Sequence, residues 1–121
     1  MSFTVKAIGE GRYILLVHEG PLTRRDMDDS RDEAIRIMIR RGWNKILVDI
    51  RKALLHVNFL EIYNFTVEHK SKLAELAKIA VVADPKDHDK TSFAETVACN
   101  RGVQRLTFDN FDQATEWLLS S

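Results

Sequence analysis

Three short apolar runs, Tyr13–Val17, Ile46–Val48 and Ile79–Ala83, are separated by segments whose apolar residues return at helical spacing. Runs of this length are strands, and strands apolar on both faces need cover on both sides. Helices connecting successive parallel strands supply that cover, so the alternation itself predicts an α/β sheet with crossover connections.

The rest of the chain fits the same plan. Phe3–Ile8 alternates and reads as a half-buried strand. Gly9-Glu10-Gly11 is a tight turn, and Arg12–Glu19 is the second strand of an antiparallel hairpin. Gly20-Pro21-Leu22 breaks that strand. Thr23 caps a helix that runs to Gly42, with Met27, Ala34, Ile35 and Met38 as its buried stripe and Arg31, Arg36 and Arg40 on other faces. Lys45–Ile50 is a strand ending near Asp49. Asn58-x-x-Glu61 is a capping box, and Phe59, Ile62, Tyr63, Thr66 and Val67 form a helical face continuing towards Leu73 and Leu76. Lys78–Ala83 is a strand closed by Asp84-Pro85, and Asp84–Lys90 reads as a mobile charged loop. Ser92-x-x-Glu95 opens a helix with Phe93, Val97 and Ala98 inward. Val103–Phe108 is the last strand, and Asn110-x-x-Gln113 opens a final helix with Ala114, Trp117 and Leu118 inward. The expected order is ββαβαβαβα: a five-stranded, mostly parallel sheet with an N-terminal antiparallel hairpin and four helices.

A length of 121 residues, 45% of them hydrophobic and 30% charged, predicts one domain spanning 1–121 with a core sufficient without staples. Eighteen basic residues balance eighteen acidic ones, which argues against nucleic acid as the main partner, although Arg36, Arg40, Arg41 and Lys45 lie close in sequence. A single cysteine, Cys99, points to a reducing compartment, hence the cytoplasm. The start, Met1 to Lys6, lacks a signal-peptide pattern, and no apolar stretch approaches the ~18 residues of a membrane span.

Familiar chemistry is sparse. Asp49, Asp84 and Asp109 each fall near the carboxyl end of an expected parallel strand, the edge where open α/β sheets bind ligands. Two of them on neighbouring strands would suit one Mg²⁺, but strand-ending and helix-capping are the commoner roles of aspartate. His18, His56, His69 and His88 lack the paired spacing of a zinc site and read as surface or strand-end residues, with His56 the one nearest a candidate site. Cys99 sits late in a helix, where the dipole disfavours a thiolate, and reads as a semi-buried structural cysteine. No G-x-S-x-G, Walker or G-x-G-x-x-G motif occurs, so neither enzyme chemistry nor a cofactor is expected.

The order of elements, with Glu19-Gly20-Pro21-Leu22, Ile46-Leu47-Val48-Asp49-Ile50-Arg51, Ile79-Ala80-Val81-Val82, Phe93-Ala94-Glu95, Asn100-Arg101-Gly102 and Ala114-x-x-Trp117-Leu118, resembles the SpoIIAA-like family. That family is related to the STAS domains (anti-sigma-factor antagonists and transporter tails) and is also compared with CRAL-TRIO lipid-binding domains. The resemblance implies a five-stranded sheet with helices packed on it, and a role in recognising a protein or a small ligand. Phospho-switched STAS proteins carry a serine or threonine just after the third strand. Here Arg51–Asn58 holds no hydroxyl side chain, so that switch is not expected.

The segment after the third strand is the best candidate surface: Arg51, Lys52, Leu54, Leu55, His56, Asn58, Phe59 and Glu61. Its cations would attract an acidic group, and its apolar residues exceed what one helix face can bury. The expectation is a non-catalytic regulatory or protein-interaction module. The alternative is a domain that binds a nucleotide, an acidic metabolite or a single acyl chain at the same edge. A homodimer through the hairpin's edge strand is compatible with both. A metal-dependent phosphotransfer enzyme using Asp49 and Asp84 is a weaker third reading.

Overall fold

The computed structural model describes residues 3–68 and 76–120, so Leu73 and His69 fall outside the described part. Strands β1 (Phe3–Ile8) and β2 (Tyr13–Leu22) form the expected antiparallel hairpin, in register from Phe3 opposite His18 to Ile8 opposite Tyr13. Their turn uses the left-handed region at Gly11 and Arg12, with φ of 91° and 57°. A Cβ at Gly11 would meet the Leu119 side chain at 3.0 Å, so glycine serves both the turn and the close approach.

Helix α1 (Arg24–Arg41) starts on a Thr23–Asp26 capping box and ends on Gly42, whose N–H donates to the Met38 carbonyl. Strand β3 (Lys45–Leu55) leads to α2 (Phe59–Val67), which opens on the Asn58–Glu61 capping box. After β4 (Lys78–Val82), Asp84 caps a short 3₁₀ turn, Pro85–Asp87, that runs directly into α3 (His88–Asn100). Strand β5 (Gln104–Phe108) and helix α4 (Phe111–Leu119), capped by Asn110, follow.

The sheet order is β1-β2-β3-β4-β5, and every pair after the hairpin is parallel; Val48 lies beside Val81. Crossovers of one hand between successive neighbours all fall on one face of the sheet. Accordingly α1, α2 and α3 cover the face carrying Ile14, Leu16, Ile46, Ile50 and Val81. Among the described helices, α4 covers the opposite face, where Ala114 and Leu118 pack on Tyr13, Leu47, Ala80 and Val82.

Two expected boundaries differ. Gly20-Pro21 does not end β2, and β3 does not end near Asp49. Both strands continue as a two-stranded extension in which Glu19–Leu22 pairs with Lys52–Leu55. A bulge makes this possible: β3 spends one more residue than β2 between the Val17–Asp49 and Glu19–Lys52 pairs. The extra residue returns Ile50 and Ala53 to the same side, so the extension still buries Leu22, Ala53 and Leu55. Gly20 accommodates the twist at φ 72°. The segment Asp84–Lys90, expected as a mobile loop, is instead the 3₁₀ turn and the first turn of α3. That helix therefore begins at His88 and not at Ser92.

Candidate functional site

The extension of β3 redistributes the residues expected to form one surface. Arg51 forms a two-pronged ion pair with Asp49 (Nε–Oδ1 3.0 Å, Nη2–Oδ2 2.7 Å), and its guanidinium lies 5.6 Å from the Phe111 ring centre, on the α4 face. Burial alone would raise the Asp49 carboxyl. The bonds from the Arg51 side chain and backbone N–H outweigh it and hold the carboxyl below its usual range. Asp49 is thus already engaged, and Asp84 accepts from the Lys86 N–H, which weakens the phosphotransfer reading. Asn58 and Glu61 are spent on capping α2. Lys52 and His56 are exposed, and the His56 N–H donates to the Leu22 carbonyl. Leu55 turns inward. The apolar side chains left exposed are Leu54 (52%) and Phe59 (46%), joined by Leu60 (67%) and Tyr63. Phe59 also meets Phe93 edge-on at 5.2 Å.

The chemistry lies deeper, between the sheet and its three crossover helices. A cavity there leaves about 150 Å³ open to the centre of a water molecule. Its walls are mostly aliphatic: Leu16, Ile46, Val48, Ile50, Ile79 and Val81 from the sheet, with Met27, Ala34, Ile62, Ala94 and Ala98 from the helices. Polar groups interrupt the wall: Thr66, Lys90 and Thr91 from α2 and α3, and two further sets that hold buried nitrogens.

At one corner His18, only 3% exposed, faces Ser30 across the gap between β2 and α1, with Nε2 3.1 Å from Ser30 Oγ. Ser30 Oγ also lies 3.2 Å from the Met27 carbonyl, to which it donates. The other imidazole nitrogen, Nδ1, has no partner. Burial pushes this histidine below its ordinary pKa, more strongly than the nearby Asp26 carboxylate raises it, so the ring is neutral at neutral pH.

Arg31, the next residue along α1, also lines the cavity. Its Nη1 donates to the Phe65 carbonyl at 2.7 Å, its Nη2 approaches Asp28 Oδ1 at 3.4 Å, and its guanidinium stacks 4.1 Å from the Phe65 ring centre. Its Nε is buried without a partner. At the opposite corner Arg105 likewise has a buried, unpartnered Nε. Burial pulls both arginines below their ordinary pKa, against the attraction of Asp28 and of Glu95 respectively.

The register fixes the distance between the corners. Arg105 is level with Ile79, Ile46 and Ile14, three strands from β2, and His18 lies four residues further along β2. At ~4.8 Å per strand and ~3.3 Å per residue the two Cα positions are roughly 20 Å apart. Residues at both ends of that span line the cavity.

None of these three residues was among those expected to form the site. His18, read as a strand-end residue, is buried. Arg31, placed on an outer face of α1, points inward. Cys99, read as semi-buried, is exposed, with Sγ 3.6 Å from the Arg105 carbonyl. The signals were present: His18 continues the inward alternation of Ile14 and Leu16, and Arg31 falls in helical register with Met27, Ala34 and Ile35. Among the described residues no group of three His, Cys, Asp or Glu side chains is arranged to hold a metal. No helix among them is long and apolar enough to cross a membrane.

No protein-family model and no curated protein matches the chain. Among solved structures it is similar to an uncharacterized DUF3478 protein with a SpoIIAA-like fold from Shewanella loihica PV-4. The TM-score is 0.61, covering 97% of this chain and 92% of that one. The fold is SpoIIAA-like. At 15% identity the likeness extends to the backbone plan of this SpoIIAA-like chain and not to its side chains. It agrees with the family resemblance read from the order of elements.

Proposed function

We propose that this chain is a non-catalytic binding module that encloses a small, largely apolar molecule, such as a single acyl chain, between its sheet and the helices α1, α2 and α3. The observation that carries the reading is the cavity itself, its wall mostly aliphatic, with a few polar side chains of which three carry buried nitrogens without partners. Ligand sites have this composition: apolar walls for affinity and a few placed polar groups for orientation. A well-packed core has neither the space nor the unpaired nitrogens. An acyl chain was the last of the small ligands expected at the strand edge; the mostly aliphatic wall of the cavity favours it over a nucleotide, inside the fold instead of at the rim.

The test is a thermal-melting screen of protein stripped of bound lipid against single-chain amphiphiles and nucleotides. A ligand at 100 times its dissociation constant adds about 2.7 kcal/mol to stability, which is readily seen. No shift with any apolar chain, together with a shift from nucleotides, would remove this reading.

A second reading rests on Leu54, Phe59, Leu60 and Tyr63, which together leave an apolar patch beside the strand extension. It retains the protein-interaction module and needs no phospho-switch, since the residue opening the helix after β3 is Asn58. Replacing Leu54 and Leu60 together by aspartate should abolish partner capture while leaving the melting temperature nearly unchanged.

A further inference from the structure

Given the cavity reading above, on which this inference rests, we propose that the enclosed molecule is a carboxylic acid whose carboxyl group sits at the His18–Arg31 corner, with its chain running towards Arg105. The argument starts from what is missing. An unpaired buried donor or acceptor forfeits its hydration with nothing in return, and folded proteins rarely keep one without a use. Here His18 Nδ1 and Arg31 Nε are both buried, both unpartnered and both in residues that line one cavity.

The hydrogen-bond inventory narrows the partner. Ser30 has one proton. When Ser30 donates it to Met27, its oxygen accepts from His18 Nε2–H, and Nδ1 is left as a bare acceptor. When the Ser30 proton turns to Nε2, Nδ1 carries the hydrogen and becomes a donor. A carboxyl group serves both arrangements: a protonated oxygen donates to bare Nδ1, or a carboxylate oxygen accepts from Nδ1–H. Its second oxygen accepts from Arg31 Nε, which can only donate. An ester has no proton for the bare nitrogen; a hydroxyl must donate to it and accept from Arg31 Nε through one oxygen, whereas a carboxyl brings a separate oxygen to each nitrogen. Arginine also favours carboxylate over neutral acceptors.

The local charges agree. Arg31 shares Asp28 with Arg24, which also holds Glu68 at 2.6 Å, so these four side chains are balanced before any ligand arrives. Asp26, the remaining acid near His18, accepts from the Thr23 N–H and hydroxyl. A carboxylic acid enters such a corner as a neutral species and shares its proton with His18. At the far corner Arg105 already has the Glu95 carboxylate acting on it, and Lys90, the other cation of the wall, is partly exposed and has no buried unpartnered nitrogen, so neither calls for the carboxyl as the His18–Arg31 corner does.

The experiment is calorimetric titration of lipid-stripped, unmodified protein with dodecanoic acid, dodecanol and methyl dodecanoate. The acid should bind at least about tenfold more tightly than the other two, the margin of one charge-assisted hydrogen bond. His18→Phe, which keeps a ring against Phe3, should erase that margin. Ester or alcohol binding as tight as the acid overturns the carboxyl assignment and leaves the cavity reading intact. Absence of binding by all three overturns the cavity reading itself. The three-ligand comparison needs no variant, so it stands even if His18→Phe fails to fold.

Discussion

The two faces of the sheet are built to different standards. On one, a single nine-residue helix seals the strands: Leu118 and Ala114 meet Leu47, Ala80 and Val82, every one of them almost fully buried. On the other, three helices enclose more wall than they fill, and the space between them holds an imidazole and two guanidinium groups with nitrogens left unpaired. More cover has produced looser packing. The sealed face supplies stability. The roomy face carries polar groups that a stability-driven core would exclude, which is the mark of a site kept for something else.

The largest effect that tests this contrast belongs to the sealed face. Leu118→Ala should cost about 2–5 kcal/mol in denaturant unfolding, because its neighbours are already fully packed and cannot collapse into the hole. A cost below about 1 kcal/mol would mean that the faces do not differ. Next come paired insertions. Ala114→Leu on the sealed face should destabilise by about 1–3 kcal/mol, whereas Ala98→Leu, projecting into the cavity, should be nearly neutral and should abolish acyl-chain binding. Equal costs would collapse the comparison.

A pH series separates the faces by chemistry. His18 is held below its ordinary value of 6.5, so the unfolded chain takes up its proton first as pH falls. Stability should be full above about pH 6.5 and should decline below it, until the folded state also protonates. His18→Phe should flatten that part of the profile, and a sealed-face variant such as Leu118→Ala should leave its shape unchanged. The smallest effect lies outside both cores. Asp49→Asn breaks the partly exposed pair with Arg51 and should cost about 1 kcal/mol or less, since solvent screens such pairs.

How much of this was legible follows the same division. The sealed face follows directly from pattern: Leu47, Ala80 and Val82 lie in strand-length apolar runs, and Ala114, Trp117 and Leu118 sit at helical spacing. The caps at Thr23, Asn58 and Asn110 are local chemistry and appear where the residues announce them. What the pattern hid was non-local. Glycine and proline at 20 and 21 signal a break, yet pairing with β3 carries the strand through them. That pairing removed Arg51 and Leu55 from the expected surface. The cavity was less visible still. A histidine or arginine in apolar register looks like a strand end or an outer helix face until three elements are seen to enclose it, and empty volume leaves no residue to read.

Helix α4 follows the other described elements, and among the described residues it is the helix that shelters Leu47, Ala80 and Val82. As the polypeptide emerges during synthesis, the side that closes over the cavity has all its pieces before the opposite side has any. Until those last residues arrive, the half-made molecule carries a bare greasy strip across its middle strands. A chain cut just short of Phe111 would keep that strip permanently and would precipitate or be captured by chaperones.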